Sequence, residues 1–220
     1  MLSVKAFTFN PVQENTYVLY NEKGECCIID PGCYFPEEKE ELKSVIEGAG
    51  WKPVQLLNTH CHLDHVFGNQ FVFDTWGLKL HIHEKEKPVL DFAPQSGLMW
   101  QMPFDHYNGP LIYLKENATI KIGDEKLDIR FTPGHSPGSV SFYHPPDPAD
   151  EAGGFVIGGD VLFNGSIGRT DLPGGDFNIL VKSIQTQFFT LPDETTVYSG
   201  HGPATTVGFE KMNNPFVKLY

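Results

Sequence analysis

A chain of 220 residues, 40% of them hydrophobic, is long enough to bury a substantial core, and its scattered glycine and proline exclude a disordered or fibrous polymer. The formal charge of −12 repels phosphate backbones and anionic lipid heads, which argues against nucleic-acid and membrane partners. The four cysteines (Cys26, Cys27, Cys33 and Cys61) form no CxxC pair, so neither a zinc ribbon nor a disulfide framework is expected.

The first twenty residues, MLSVKAFTFNPVQENTYVLY, alternate apolar and polar side chains without a basic head or an apolar h-region. No signal peptide is read there. No run approaches the roughly 20 apolar residues that span a bilayer, and the expectation is a cytoplasmic protein. VKAFTF and NTYVLY read as strands, NEKGE as a turn, and CCIIDPG as a third strand stopped by Pro-Gly. PEEKEELKSVIEGAG predicts a helix: Pro36 opens it, acids fill the first turn, and Leu42, Val45 and Ile46 share a face.

PVQLLNTH predicts a short buried strand, and HVFGNQFVFDTW begins a helical pattern after it. LKLHIHE is another strand, with His81 and His83 sharing a face and expected at the surface or a sheet edge. Residues 91–110, DFAPQSGLMWQMPFDHYNGP, lack clear periodicity and are expected to form a lid or substrate loop. The second half brings ATIKI, EKLDIRFTPGH, SVSFYH and GFVIGGD as strands, a helix near DFNILVKSIQTQFFT, and TTVYSGH as a last strand. His144 ends a strand before PPDP, and neither it nor His106 is assigned a role. The pattern predicts one domain over residues 1–220, with two sheets and helices outside them.

The chemistry concentrates in NTHCHLDHVFGN, residues 58–69, which packs His60, His62, Asp64 and His65 into six positions. In extended chain, residues i and i+2 face the same way, so His60 and His62 can offer imidazoles to one metal ion. As the chain turns into a helix, Asp64 and His65 address a neighbouring position. Four ligands on one short loop cannot complete two coordination spheres, so further donors must come from elsewhere. His135 in RFTPGHSPGS, Asp160 in VIGGDVLF and His201 in VYSGHGPA each end an apolar strand at a glycine-flanked turn. Glycine beside a ligand lets the backbone turn sharply at a crowded centre. Cys61 is expected to be a small buried residue, and Asp30 in IIDPG either supports the metal residues or only makes a turn.

His60-x-His62-x-Asp64-His65, followed by His135, Asp160 and His201 in that order, resembles the metallo-β-lactamase fold superfamily over nearly the whole chain. The resemblance implies an α+β fold, a four-layer αββα sandwich of two mixed sheets packed face to face with helices outside. It implies a first metal held by His60, His62 and His135, a second by Asp64, His65 and His201, and Asp160 bridging them. An aspartate at 160 rather than a cysteine, and IGRTDLPGGD at residues 167–176, resemble a short single-domain branch of glyoxalase II-like hydrolases. That branch implies hydrolysis of a small acyl thioester such as S-lactoylglutathione by a metal-bridging hydroxide, with Asp160 as the shared ligand and Asp64 orienting the hydroxide.

Mixed imidazole and carboxylate donors suit zinc, iron or manganese, and zinc is expected because no redox step is needed. The alternative is a persulfide dioxygenase with a single iron at His60 or His62, His135 and Asp160. Nuclease and β-lactamase activities are less expected. Only 19 residues follow His201, too few for the helical domain that helps glyoxalase II hold glutathione. Arg169, Thr170, Asp171 and Gly202-Pro203 also stand where glutathione contacts would fall, so Met99, Trp100, Met102 and Phe104 are candidate substrate-wall residues instead.

Overall fold

The computed structural model describes residues 2–146 and 153–218, so Asp147 and Pro148 of the PPDP stretch lie outside the described residues. The chain divides into two compact units, Met1–Leu114 with Lys121–Glu125, and Lys115–Ile120 with Lys126–Tyr220. No helix among the described residues is long and apolar enough to cross a membrane.

The first unit is built on a six-stranded mixed sheet whose order follows the chain. Strands β1 (Leu2–Phe9), β2 (Glu14–Asn21) and β3 (Glu25–Ile29) run antiparallel, and β4 (Lys52–Leu57), β5 (Leu80–His83) and β6 (Leu111–Leu114) continue in parallel. Its helices are α1 (Pro36–Gly48), α2 (Leu63–Val66), α3 (Asn69–Trp76) and α4 (Lys87–Met99). The sequence dictates which strands are central. In β1 only Leu2, Phe7 and Phe9 are buried, whereas Cys26, Cys27, Ile28 and Ile29 of β3 are all fully buried, as a strand covered on both faces requires. Leu42 and Ile46, one helical turn apart on α1, pack with Val18, Ile28, Leu56 and Leu80 in one core.

The rest of the chain carries β7 (Thr119–Ile122), β8 (Glu125–Phe131), β9 (Val140–His144), β10 (Phe155–Gly159), the hairpin β11 (Leu162–Phe163) and β12 (Ser166–Ile167), β13 (Thr196–Ser199) and β14 (Thr205–Thr206). Six of these form a sheet in the order β14-β13-β10-β9-β8-β7, with β10 parallel to β13. Helix α5 (Phe177–Ser183) runs into a π-helical turn over Ile184–Phe188, and α6 (Val207–Asn213) follows. Leu180, Ile184 and Phe188 bury one side of that helical run against Val156, Val197 and Val207. The expected α+β architecture of two mixed sheets with helices is therefore observed.

Three local expectations are corrected. Residues 91–99 are helical, not loop: Leu90, Ala93 and Gly97 bury one face at helical spacing, while exposed Leu98, Met99 and Trp100 blur that period in the sequence. The loop is confined to residues 100–110, where the Tyr107 hydroxyl accepts from Leu80 N–H at 3.0 Å and donates to the Pro110 carbonyl at 2.6 Å. The segment after His65 makes two helices because Gly68 interrupts it. A Cβ there would collide with Cys33 Sγ and the Pro31 carbonyl, to which Gly68 N–H donates at 2.7 Å. Finally, β5 lies between β4 and β6, so His83 is buried and His81 half-buried rather than edge residues.

Candidate metal centre

In the first unit, four predicted donors lie where β4 gives way to helix. His60 stands three residues beyond β4, His62 is the N-cap of α2, and Asp64 and His65 fill its single turn. The His60 ring lies 4.8 Å from that of His62, nearly perpendicular at 89°, and 4.2 Å from that of His65. His65 Nε2 is 3.6 Å from Asp64 Oδ2.

Asp30 organises this cluster from beneath. It follows β3 at φ +49°, a left-handed conformation that turns its carboxylate back under the loop. Its Oδ1 accepts from Thr59 N–H at 2.7 Å and from the Asn58 side-chain amide at 3.0 Å. Its Oδ2 accepts from the Thr59 hydroxyl at 2.6 Å and lies 3.2 Å from His65 Nδ1. The carboxylate can only accept, so His65 Nδ1 carries the proton and Nε2 the lone pair. The same reasoning passes through Thr59: its hydroxyl proton points to Asp30, so its oxygen accepts from His60 Nδ1 at 3.1 Å and leaves His60 Nε2 as the ligand atom. Asp30, His60 and His65 offer ligand atoms within 4.8 Å of one another, yet four donors already occupy the Asp30 oxygens. Asp30 is thus a positioning residue.

Two further buried acids were not read from the sequence. Glu14 opens β2 with Oε1 3.7 Å from His65 Nδ1, and its Oε2 pairs with the Thr16 hydroxyl at 2.9 Å. Burial pushes its pKa well above the usual carboxylate range, against the pull of His65. Its signal was a lone acid at the head of a strand in which all but Tyr20 is buried. Glu86 accepts from Cys61 N–H at 2.8 Å and so holds the peptide between His60 and His62. HEKEK reads as a solvated charge run, and nothing local marks Glu86 as buried. Cys61 is fully buried as expected, and burial raises its thiol well above the usual value, which disfavours the thiolate a metal needs.

In the second unit, His135 follows β8, Asp160 follows β10 and His201 follows β13. His135 Nε2 and His201 Nε2 each lie 3.6 Å from Asp160 Oδ2. His135 Nδ1 donates to the Arg169 carbonyl at 2.8 Å, which again leaves Nε2 with the lone pair. Gly168 makes that contact available, since a Cβ there would collide with the Asp160 carbonyl and press on His135 Nδ1. The Arg169 side chain turns outward and grips Asp171 with two bonds of 2.7 Å, which lowers the exposed Asp171 carboxyl to about 2.

These donors fit a metal ion. Two ligand atoms at about 2.0–2.1 Å from one tetrahedral ion stand about 3.4 Å apart. The 3.6 Å spacings match that figure and are too long for hydrogen bonds. Three of the imidazoles are fixed with Nε2 as the ligand atom. Imidazole and carboxylate donors without a thiolate suit borderline divalent ions.

An α+β chain with such donors at its strand ends is of the metal-binding class. The metallo-β-lactamase superfamily profile matches residues 9–201. A probable metallo-hydrolase, YqgX of Bacillus subtilis, is 40% identical over 94% of this chain and 93% of its own. Hydroxyacylglutathione hydrolase GloC of Haemophilus influenzae is 32% identical over 98% of both chains. Among solved structures, BLEG-1 B3 metallo-β-lactamase superposes with a TM-score of 0.86 at 39% identity, covering 98% of this chain and 99% of that one. TTHA1623 in a di-iron-bound form gives 0.85 at 35% identity, covering 97% and 100%. The chain belongs to the metallo-β-lactamase superfamily and is a metallo-hydrolase of that class.

Proposed function

We propose that the protein hydrolyses a small acyl thioester, S-lactoylglutathione or a close relative, at a centre of two divalent metal ions. In this reading His60, His62 and His135 hold one ion, Asp64, His65 and His201 hold the other, and Asp160 serves both. The observation that carries it is Asp160 Oδ2 standing 3.6 Å from both His135 Nε2 and His201 Nε2, so that one carboxylate addresses two imidazoles assigned to different ions. The 32% identity to a hydroxyacylglutathione hydrolase over nearly the full length of both chains supports the substrate class.

When bound, the ions supply an acidified water and an electrophile for the carbonyl oxygen. The chain does the rest. Asp30 holds His60 and His65 in the ligating tautomer, and Arg169 does the same for His135 through its carbonyl. Asp64, partly exposed beside His65, orients the attacking water. A thiolate leaves with a conjugate-acid pKa of about 8.5, so no dedicated general acid is required. Zinc is the proposed ion because the reaction has no redox step, and the di-iron form of a 35% identical protein supports iron as its substitute.

The structural likeness to a B3 metallo-β-lactamase at 39% identity favours β-lactam hydrolysis as the second reading. Metal analysis of the purified protein, run beside assays with S-lactoylglutathione, a chromogenic β-lactam and a glutathione persulfide with oxygen uptake, separates these. Two metals per chain with thioester turnover support the proposal. One iron with oxygen consumption would replace it with the dioxygenase.

A further inference from the structure

A cleft of about 530 Å³ opens in the first unit between the start of α1 and the segment after α4. Its walls are Tyr34, Phe35 and Pro36 on one side and Pro103 and Phe104 on the other, with Lys39 and Asp105 contributing opposite charges. The walls are fixed. The Tyr34 hydroxyl donates to the Pro103 carbonyl at 3.2 Å, and the Tyr34 and Phe104 rings both pack on Phe67, 4.8 and 5.1 Å away. Phe67 comes two residues after His65, so the cleft adjoins the loop that carries the first unit's metal donors.

Two side chains of opposite charge stand on its rim. Lys39 is half-buried and Asp105 exposed. Among the described residues, Lys39 has no ion-pair partner and neither has Asp105. The acids on either side of Lys39 are engaged elsewhere: Glu38 accepts from Tyr34 N–H at 2.7 Å, Phe35 N–H at 3.0 Å and Asn10 N–H at 2.7 Å, and Glu40 from the Ser44 hydroxyl at 3.0 Å. One cation and one anion, unpaired on the rim of an aromatic cleft, match a ligand that brings both charges itself.

We propose that this cleft seats the amino-acid head of a peptidic thiol carrier, its carboxylate toward Lys39, its ammonium toward Asp105 and its stem against Tyr34 and Phe104. The seat rests on the thioesterase reading for its purpose but not for its detection.

The probe is S-methylglutathione, an unreactive thioether that carries the head but has no thiolate to capture a metal, titrated calorimetrically into the metal-loaded full chain. Lys39→Gln and Asp105→Asn should each weaken its binding about threefold to fivefold, the range of partly exposed ion pairs. An analogue lacking the α-ammonium should bind the unsubstituted protein as weakly as S-methylglutathione binds Asp105→Asn, and Asp105→Asn should not weaken the analogue further. That coincidence would not arise from a structural role of Asp105. Undiminished binding in both variants, absence of binding to the unsubstituted protein at millimolar probe, or a further loss of the analogue in Asp105→Asn would each overturn the seat. Turnover of a thioester with no amino-acid head reports on the hydrolase reading separately.

Discussion

Asp30 shows how much a single side chain decides here. Four donors converge on its two oxygens, and through Thr59 and His65 it sets the tautomer of two imidazoles on the metal loop. Asp30→Asn replaces one acceptor oxygen by a donor amide, which faces either His65 Nδ1–H or Thr59 N–H with the wrong polarity. Loss of such a supporting partner costs about tenfold to a hundredfold in metal affinity, and competition with a chromogenic chelator should read a loss of that size. Asp160→Asn acts more directly: thioester turnover should vanish while the far-ultraviolet dichroism stays that of the unsubstituted protein. The seven residues proposed as donors stood out in the sequence because glycine-flanked strand ends and the HxHxDH spacing are local features. Glu14 and Glu86 were not, since burial of an acid is decided by what packs over it and not by its neighbours in the chain.

Among the elements, legibility depends on length. Strands β1 to β5 and β7 to β10 follow from alternating or continuous apolar runs bounded by turn residues, and all were expected where they occur. The two-residue strands and α6 were not expected, because segments that short take their conformation from the partner they pair with or pack on. Helix α4 was hidden by Pro94 and by the apolar residues exposed at its end. The α2–α3 break makes a clear prediction. Gly68→Ala forces a methyl against Cys33 Sγ and the Pro31 carbonyl, and urea unfolding should show a loss of about 1–3 kcal/mol.

Those same elements bury every cysteine. Cys26 and Cys33 are pushed up to about 12 by burial, and Cys27 and Cys61 are raised well above their usual value for the same reason. An aromatic disulfide reagent at pH 8 should therefore find no reactive thiol in the folded protein and all four after unfolding. A thiol whose folded pKa lies above its unfolded value favours the native state only while it stays protonated. That contribution is complete below the unfolded value of 9.0 and is lost as pH rises through about 12. Chemical denaturation midpoints should fall across that window.

At the scale of the whole molecule, a surface of net charge −12 gives an anionic substrate no general attraction, so recognition must be local. The proposed seat at Lys39, in an aromatic cleft, would meet that requirement. The α+β class was legible because the order of strands and helices is written in hydrophobic period, and the superfamily because its donors recur in fixed order from His60 to His201. The proposed substrate seat was not, since Tyr34, Lys39 and Phe104 become neighbours only after folding.

The central claim, a two-metal centre that hydrolyses thioesters, is tested most directly by metal titration of the chelator-stripped protein. Turnover of S-lactoylglutathione should be absent without metal, rise with added zinc and level off at two equivalents per chain. Full turnover in the stripped protein, or a plateau already reached at one equivalent, would contradict it.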